Sequence, residues 1–248
     1  MKTPTRNRPQ SIHSWVAQEL GSRIVSGVYP PGDYIPNENN IGEELGVSRT
    51  TLREAFKLLT AKGLIESRPK LGTRIRPRKN WNMFDAEVLR WCFNTNPDPK
   101  FYMSLYEMRE IIEPNAASLA AMHRTDEQIT VLAQAYQDME SAKLGTDQVY
   151  KSDLDFHLAL LEATNNEFMA SLGMTIETAL ESSFRLSSAI AEEYVDSLPG
   201  HKAVYLAIKD GDPERAKFEM QALLTHAKHA LEHTLAELEQ LPQIDTQS

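Results

Sequence analysis

Apolar positions in the first 65 residues fall into three short helical blocks. Ile12, Trp15, Val16, Leu20 and Ile24 keep the three-and-four spacing of one helix face, and Gly27 marks its end. Residues 28–36 hold three prolines and a glycine and read as a turn. A short helix is predicted over 39–45, followed by a tight turn at Gly46-Val47. Ser48 then stands as the N-cap of a third helix, 49–62, which Gly63 closes. Within it Leu52, Phe56 and Leu59 recur at i, i+4 and i+7 and face inward. Leu64-Ile65-Glu66-Ser67 and Thr73-Arg74-Ile75-Arg76 read as two short strands around a turn at 69–72.

Past a polar stretch beginning at Pro77, the periodicity is helical throughout. Helices are predicted at 85–93, 99–123 (bent at Pro114), 125–144, 148–163, 167–193, 199–209 and 213–238, with Thr125 and Gln128 forming a capping box. Helices alone, without a strand pattern, imply one bundle. The expected fold is therefore mainly α: an N-terminal winged helix-turn-helix and a C-terminal all-helical bundle. The expected boundaries are a basic arm at 1–10, the winged domain at 11–77, a linker and linker helix at 78–97, the bundle at 98–238 and a tail at 239–248.

Charge sharpens the division. The chain of 248 residues carries a net −9, which taken whole argues against a nucleic-acid partner. Residues 1–80, however, hold 14 Lys and Arg against 7 Asp and Glu, a net of +7, and the remainder is −16. A basic module followed by an acidic one suggests two domains with different partners. The single cysteine, Cys92, excludes a disulfide framework and a Cys-rich zinc site. No apolar run approaches the ~20 residues of a membrane span, and the N-terminus lacks the apolar core of a secretory signal, so no membrane partner and a cytoplasmic location are expected.

In the basic module Arg49 and Arg53 are one turn apart near the start of the third helix, on a face other than the apolar one. The N-terminal end of a recognition helix enters the major groove, where a guanidinium can bridge guanine O6 and N7. Ser48, Thr50 and Thr51 offer hydroxyls and backbone N–H groups to phosphates, and Arg74, Arg76, Arg78 and Lys79 add attraction independent of sequence.

In the acidic module Asp153 and His157 share a helix face with Tyr150, Leu160 and Thr164, which places them inward. A buried carboxylate and imidazole must pair with each other or bind a cation. His201, expected in the first turn of the 199–209 helix, makes a plausible third ligand for a divalent metal. Arg109, flanked by Tyr106, Met108, Ile111 and Ile112, has a head group placed for burial and in need of a partner, and Glu113 one turn along is within reach for an ion pair. Ser197 reads as the N-cap of the His201 helix; the alternative is that its hydroxyl also serves as an effector-binding group. His226, His229 and His233 lie on one face of the final helix, where surface or interhelix packing is the simpler reading.

Several of these stretches together resemble a known family. Pro36-x-Glu38, the run Leu45-Gly46-Val47-Ser48-Arg49-Thr50-Thr51-Leu52-Arg53-Glu54-Ala55, Gly63-Leu64-Ile65 and Gly72-Thr73 resemble the DNA-binding domain of the GntR family over 12–77. The resemblance implies base contacts from Arg49 and Arg53 and entry of the wing tip, Lys70 to Gly72, into the minor groove. Asn39 stands where many members carry another DNA-contacting arginine, and Lys70-Leu71 stands where Gly-Arg is frequent.

Arg109-x-x-x-Glu113-x-x-Ala116, Asp153-x-x-x-His157-x-x-Leu160 with Ala163-Thr164-x-Asn166, and His201 followed by Ala207-Ile208 and Gly211-Asp212 resemble the FCD effector domain of the FadR-type members over 100–235. That domain often holds a divalent metal, zinc or similar, through one Asp and three His. Three positions map onto Asp153, His157 and His201. The fourth falls on Leu223; either His226, one turn on, substitutes for it, or water or the effector fills the place. Arg109 is then an effector-binding residue. The stretch 80–91 resembles the linker region of galactonate-type repressors, which sense sugar acids.

The expectation is a homodimeric repressor that binds an inverted-repeat operator in double-stranded DNA and is released by a small carboxylate such as a sugar acid. The alternatives are a metal-independent acyl-ligand sensor of the fatty-acid type and a metal-dependent hydrolase.

Overall fold

The computed structural model describes residues 11–68, 71–95, 98–173, 175–178 and 190–240. The chain divides into two compact units, Met1–Pro97 and Asp98–Ser248. The predicted arm at 1–10, Lys70 and the end of the tail lie outside the described residues. Among the described residues no helix is long and apolar enough to cross a membrane.

The first unit contains α1 (Ile12–Val25), α2 (Glu38–Leu45), α3 (Arg49–Ala61), strands β1 (Ile65–Arg68) and β2 (Gly72–Ile75), and α4 (Ala86–Asn94). Val16, Leu20, Ile24, Ile41, Leu52, Ala55 and Leu59 form its core where the helical spacing places them. β1 and β2 pair antiparallel, with Ile65 opposite Ile75 and Arg68 opposite Gly72. The predicted turn before α2 is stitched to this hairpin. Tyr34 bridges Arg74, Ile35 N–H donates to Thr73 O (2.8 Å) and Ile75 N–H donates to Asp33 O (2.8 Å).

The stretch expected as a linker belongs to this first unit. Lys62, at the end of α3, reaches Asp85 and Glu87 at 2.7 Å each, and Asp85 caps α4 by accepting from the N–H groups of Glu87 and Val88. Trp81 Nε1 donates to Arg76 O (2.9 Å). Trp91 of α4 presses on Gly21 of α1, where an added Cβ would lie 2.3 Å from the indole ring.

The second unit contains α5 (Pro99–His123), α6 (Asp126–Ser141), α7 (Asp147–Glu162), a short α8 (Glu167–Ser171), α9 (Ile190–Asp210) and α10 (Pro213–Gln240). Thr125 and Gln128 make the predicted capping box of α6. The core brings Ala116, Ala117 and Ala120 of α5 against Leu132, Met139, Phe156, Leu160, Val204, Ala207 and Met220. The alanine row allows close approach of neighbouring helices, and α5 packs along α10. α5 passes Pro114 without a break in its helical assignment.

Two predicted helices differ. The helix expected over 167–193 is short where it starts, ending at Ser171, and 179–189 lies outside the described residues. The helix expected to begin at Pro199 instead runs from Ile190 through Pro199. A proline inside a helix removes one hydrogen bond and is usually a breaker. Here Tyr194, His201, Val204, Ala207 and Ile208 are all buried on one continuous stripe, so tertiary packing carries the helix past it.

Candidate functional site

The first unit exposes a polar face of α3 beside the hairpin. Asn37 caps α2 by accepting from Asn39 N–H (3.0 Å), Gly46 turns the chain with φ 66°, and Ser48 caps α3 by accepting from Thr51 N–H (3.1 Å). Its hydroxyl also meets that of Thr51 at 2.9 Å. The buried face of α3 leaves Arg49, Thr50 and Arg53 exposed on the other side. Arg49 and Arg53 line a cleft of about 500 Å³ together with Asn39, Leu71 and Gly72 of the wing tip. Arg53 Nε lies 3.6 Å from Glu38 Oε2. So exposed a pair is worth under ~1 kcal/mol and holds Arg53 only weakly. Gly72 has φ 103°, a conformation that side chains rarely adopt.

The second unit buries a charged cluster. Asp153 and His157 come from α7, His201 from α9, and Arg109 and Glu113 from α5; each is under 10% exposed. One donor atom each from Asp153, His157 and His201 lies within 4.8 Å of the others. Glu113 Oε1 accepts from Arg109 Nε at 2.5 Å. Its other oxygen lies 2.6 Å from His157 Nδ1, at ion-pair distance but off the line of a straight hydrogen bond.

The histidine on α9 carries the strongest hint of a cation. His201 Nδ1 is 3.0 Å from the carbonyl oxygen of Ser197, which can only accept. Nδ1 therefore holds a proton, and in the neutral ring Nε2 has a lone pair. That Nε2 is buried, without a hydrogen-bond partner, 3.2 Å from Asp153 Oδ1. A lone pair facing a carboxylate calls for a positive charge between them, a second proton or a metal ion. Two imidazoles and a carboxylate are a donor set suited to zinc and similar divalent ions, so the residues fit such a group.

Burial pushes both carboxyls of the cluster up, and their partners outweigh it. The Arg109 guanidinium and the His157 imidazole hold Glu113 down at about 2. The contact from His201, with the charges of His157 and Arg109, keeps Asp153 below its usual range. Arg109 Nη1 is buried and has no hydrogen-bond partner. The guanidinium thus keeps a site for a second anion.

Three expectations change. Ser197 is not an N-cap. It lies inside α9, its hydroxyl donates to Tyr194 O (2.8 Å), and its carbonyl serves His201. His201 is mid-helix, so the helix N-terminus does not act on it. His226 is exposed and lines an outer groove with Phe218, Gln221 and His229, so it does not complete the cluster. Leu223 is buried, 3.0 Å from a Cβ built on Gly200 beside His201, and brings no ligand atom. His229 and His233 are exposed beside Glu232 and Glu237.

Sequence reasoning missed two features. The i+4 spacing of Glu113 from Arg109 signals that pair but not the reach to His157. Ser152, beside Asp153, meets the Tyr194 hydroxyl at 2.9 Å, and Tyr194 donates on to Met139 O (2.8 Å). No spacing rule joins residues so far apart in the chain.

Residues 13–75 match the model of bacterial regulatory proteins of the gntR family, and residues 104–226 match the FCD domain. An HTH-type transcriptional regulator of Escherichia coli K12, YieP, is 35% identical over 211 residues, 84% of this chain and 90% of that one. This chain belongs to the gntR family. The galactonate operon transcriptional repressor of E. coli K12 is 31% identical over 83% of this chain and 89% of its own length. The solved structure of Lar from Listeria monocytogenes shares the fold, at 19% identity and a TM-score of 0.63, covering 92% of this chain and 99% of that one.

The protein is thus a transcriptional regulator of the GntR/FCD type, not an enzyme, with a DNA-binding unit and an effector-sensing unit. The hydrolase alternative loses its ground.

Proposed function

We propose that this GntR/FCD regulator is a homodimeric repressor whose FCD unit binds a divalent metal, zinc or similar, and a small carboxylate of the sugar-acid class. The observation that carries the reading is the buried Asp153–His157–His201 set with the unmatched Nη1 of Arg109 in the same charged cluster. Asp153, His157 and His201 would hold the ion, which when bound offers Lewis-acid anchoring to a carboxylate and an adjacent hydroxyl. Arg109 would take the ligand carboxylate through its free N–H groups. Likeness to the galactonate operon repressor supports a sugar acid.

On the DNA side, Arg49 and Arg53 would read base edges, while Ser48, Thr50, Thr51, Gly72 and Lys70 would contact the backbone and the minor groove. Each protomer would take one half of an inverted repeat. Release requires the effector to favour the arrangement with low DNA affinity, because equal binding to both shifts nothing.

A thermal-shift screen of sugar acids, with and without chelator, tests the reading. A ligand at ~100 times its Kd stabilises by about 2.7 kcal/mol. The shift should vanish with chelator and in His201→Ala, and the same ligand should release operator DNA in a gel shift. A ligand response indifferent to chelator and to His201→Ala would refute the metal part and favour an acyl-type sensor.

A further inference from the structure

Glu113 touches both halves of the buried cluster. It is 1% exposed, and its two oxygens are divided: Oε1 accepts from Arg109 Nε and Oε2 faces His157 Nδ1 at 2.6 Å. The alternative, a two-pronged grip on the guanidinium, is not taken, although Arg109 Nη1 is left without a partner. Glu113 Oε2 and His157 Nδ1 are each buried without a well-formed hydrogen bond. Buried polar atoms in folded proteins are satisfied in the great majority of cases. These two lie at hydrogen-bonding distance from each other, so a small adjustment of the imidazole satisfies both at once. An imidazole that donates Nδ1–H to a carboxylate presents its other nitrogen as a ligand, in a fixed ring orientation.

His201 is oriented by a different device, the Ser197 carbonyl within its own helix. The α7 histidine thus relies on a side chain from another helix, and that side chain is tied down by Arg109.

We propose that Glu113 is a positioning residue: anchored by Arg109, it fixes the imidazole of His157 for cation binding. The proposal rests on the metal reading above. Its consequence is that the arginine expected to take the ligand carboxylate and a histidine expected to hold the ion share one acceptor, so that each site feels the occupancy of the other.

The test is Zn2+ affinity of the metal-stripped full-length chain, measured against a chromophoric chelator. Glu113→Gln should bind Zn2+ about 10- to 100-fold more weakly than the wild type. Added to His157→Ala, the same substitution should change the residual affinity by no more than about twofold, because the residue through which it acts is gone. Wild-type affinity in Glu113→Gln overturns the proposal. So does an equal loss in both backgrounds, which would mean that the carboxylate acts by charge alone.

Should Glu113→Gln fail to fold, Glu113→Asp takes its place. It keeps a negative charge for Arg109 but draws the second oxygen away from His157. A loss in the same range is expected, and wild-type affinity overturns the proposal. If His157→Ala binds Zn2+ as the wild type does, the metal reading itself fails and takes the proposal with it.

Discussion

Replacing Arg109 with methionine would strip the buried Glu113 carboxylate of its guanidinium and leave it between an apolar chain and the His157 imidazole. Arg109 and Glu113 are each 1% exposed, so solvent gives the stranded charge little relief. Unit charges about 4 Å apart attract by ~4 kcal/mol at an effective dielectric constant of ~20. Removing one partner of a buried pair destabilises by about 3–5 kcal/mol, whereas replacing both is often close to neutral. Arg109→Met should therefore lose about 4 kcal/mol, and Arg109→Met with Glu113→Gln should return to within about 1 kcal/mol of the wild type.

Urea unfolding in the presence of chelator measures this. With a slope of ~2 kcal/mol per molar, the single variant should unfold about 2 M earlier. The probe matters: the three tryptophans, Trp15, Trp81 and Trp91, all lie in the first unit, so the second must be followed by far-UV circular dichroism. A single variant within 1 kcal/mol of the wild type, or a double variant as unstable as the single, would refute the argument.

On the reading face, Arg49→Ala and Arg53→Ala should each weaken operator binding by about 1–3 kcal/mol at fixed salt, with little change in the urea midpoint; equal losses on operator and random DNA would contradict base reading. Burial pulls the Lys62 ammonium down, but Asp85 and Glu87 more than reverse this and hold its pKa above 10.5. A raised folded value means that its stabilisation is complete below the unfolded pKa and is lost as pH rises through the folded one. Tryptophan-monitored stability of the first unit should thus fall above pH 10.5, with that part of the decline absent in Lys62→Met. Gly21→Ala should destabilise the same unit by about 1–3 kcal/mol and shift Trp91 emission, since the added carbon meets the ring; unchanged stability would show that α4 does not rest on α1 as described.

The local features were the most legible in the sequence. Ser48, Gly46, the capping box at Thr125 and the inward positions Leu52, Phe56 and Leu59 announce themselves through spacing and cap chemistry, which depend on neighbours within a turn or two. Asp153 and His157 could be placed on one inward face for the same reason. The missed features depend on several helices at once. Pro199 looked like a start because a proline is disfavoured inside a helix, and only the stripe of buried residues on both sides shows why it is carried through. His226 was one turn from the position in question, yet that turn moves it from the core side of α10 to the surface. Glu113 was visible as the partner of Arg109, but its second oxygen meets a residue 44 positions away, which no local period encodes.

The stitching of the Tyr34 segment to β2 bears on what can change at the hairpin tip. Backbone hydrogen bonds at Gly32, Asp33, Ile35, Thr73 and Ile75 align the hairpin, and none of them depends on a side chain at its tip. Apart from Gly72, whose positive φ disfavours a side chain, a described tip position such as Leu71 can therefore change without shifting the frame that presents it beside Arg49 and Arg53. Leu71 is 67% exposed and takes part in none of these bonds. Stability and surface chemistry are thus uncoupled at this position: a substitution there alters what the hairpin presents and leaves the bonds that hold it in place.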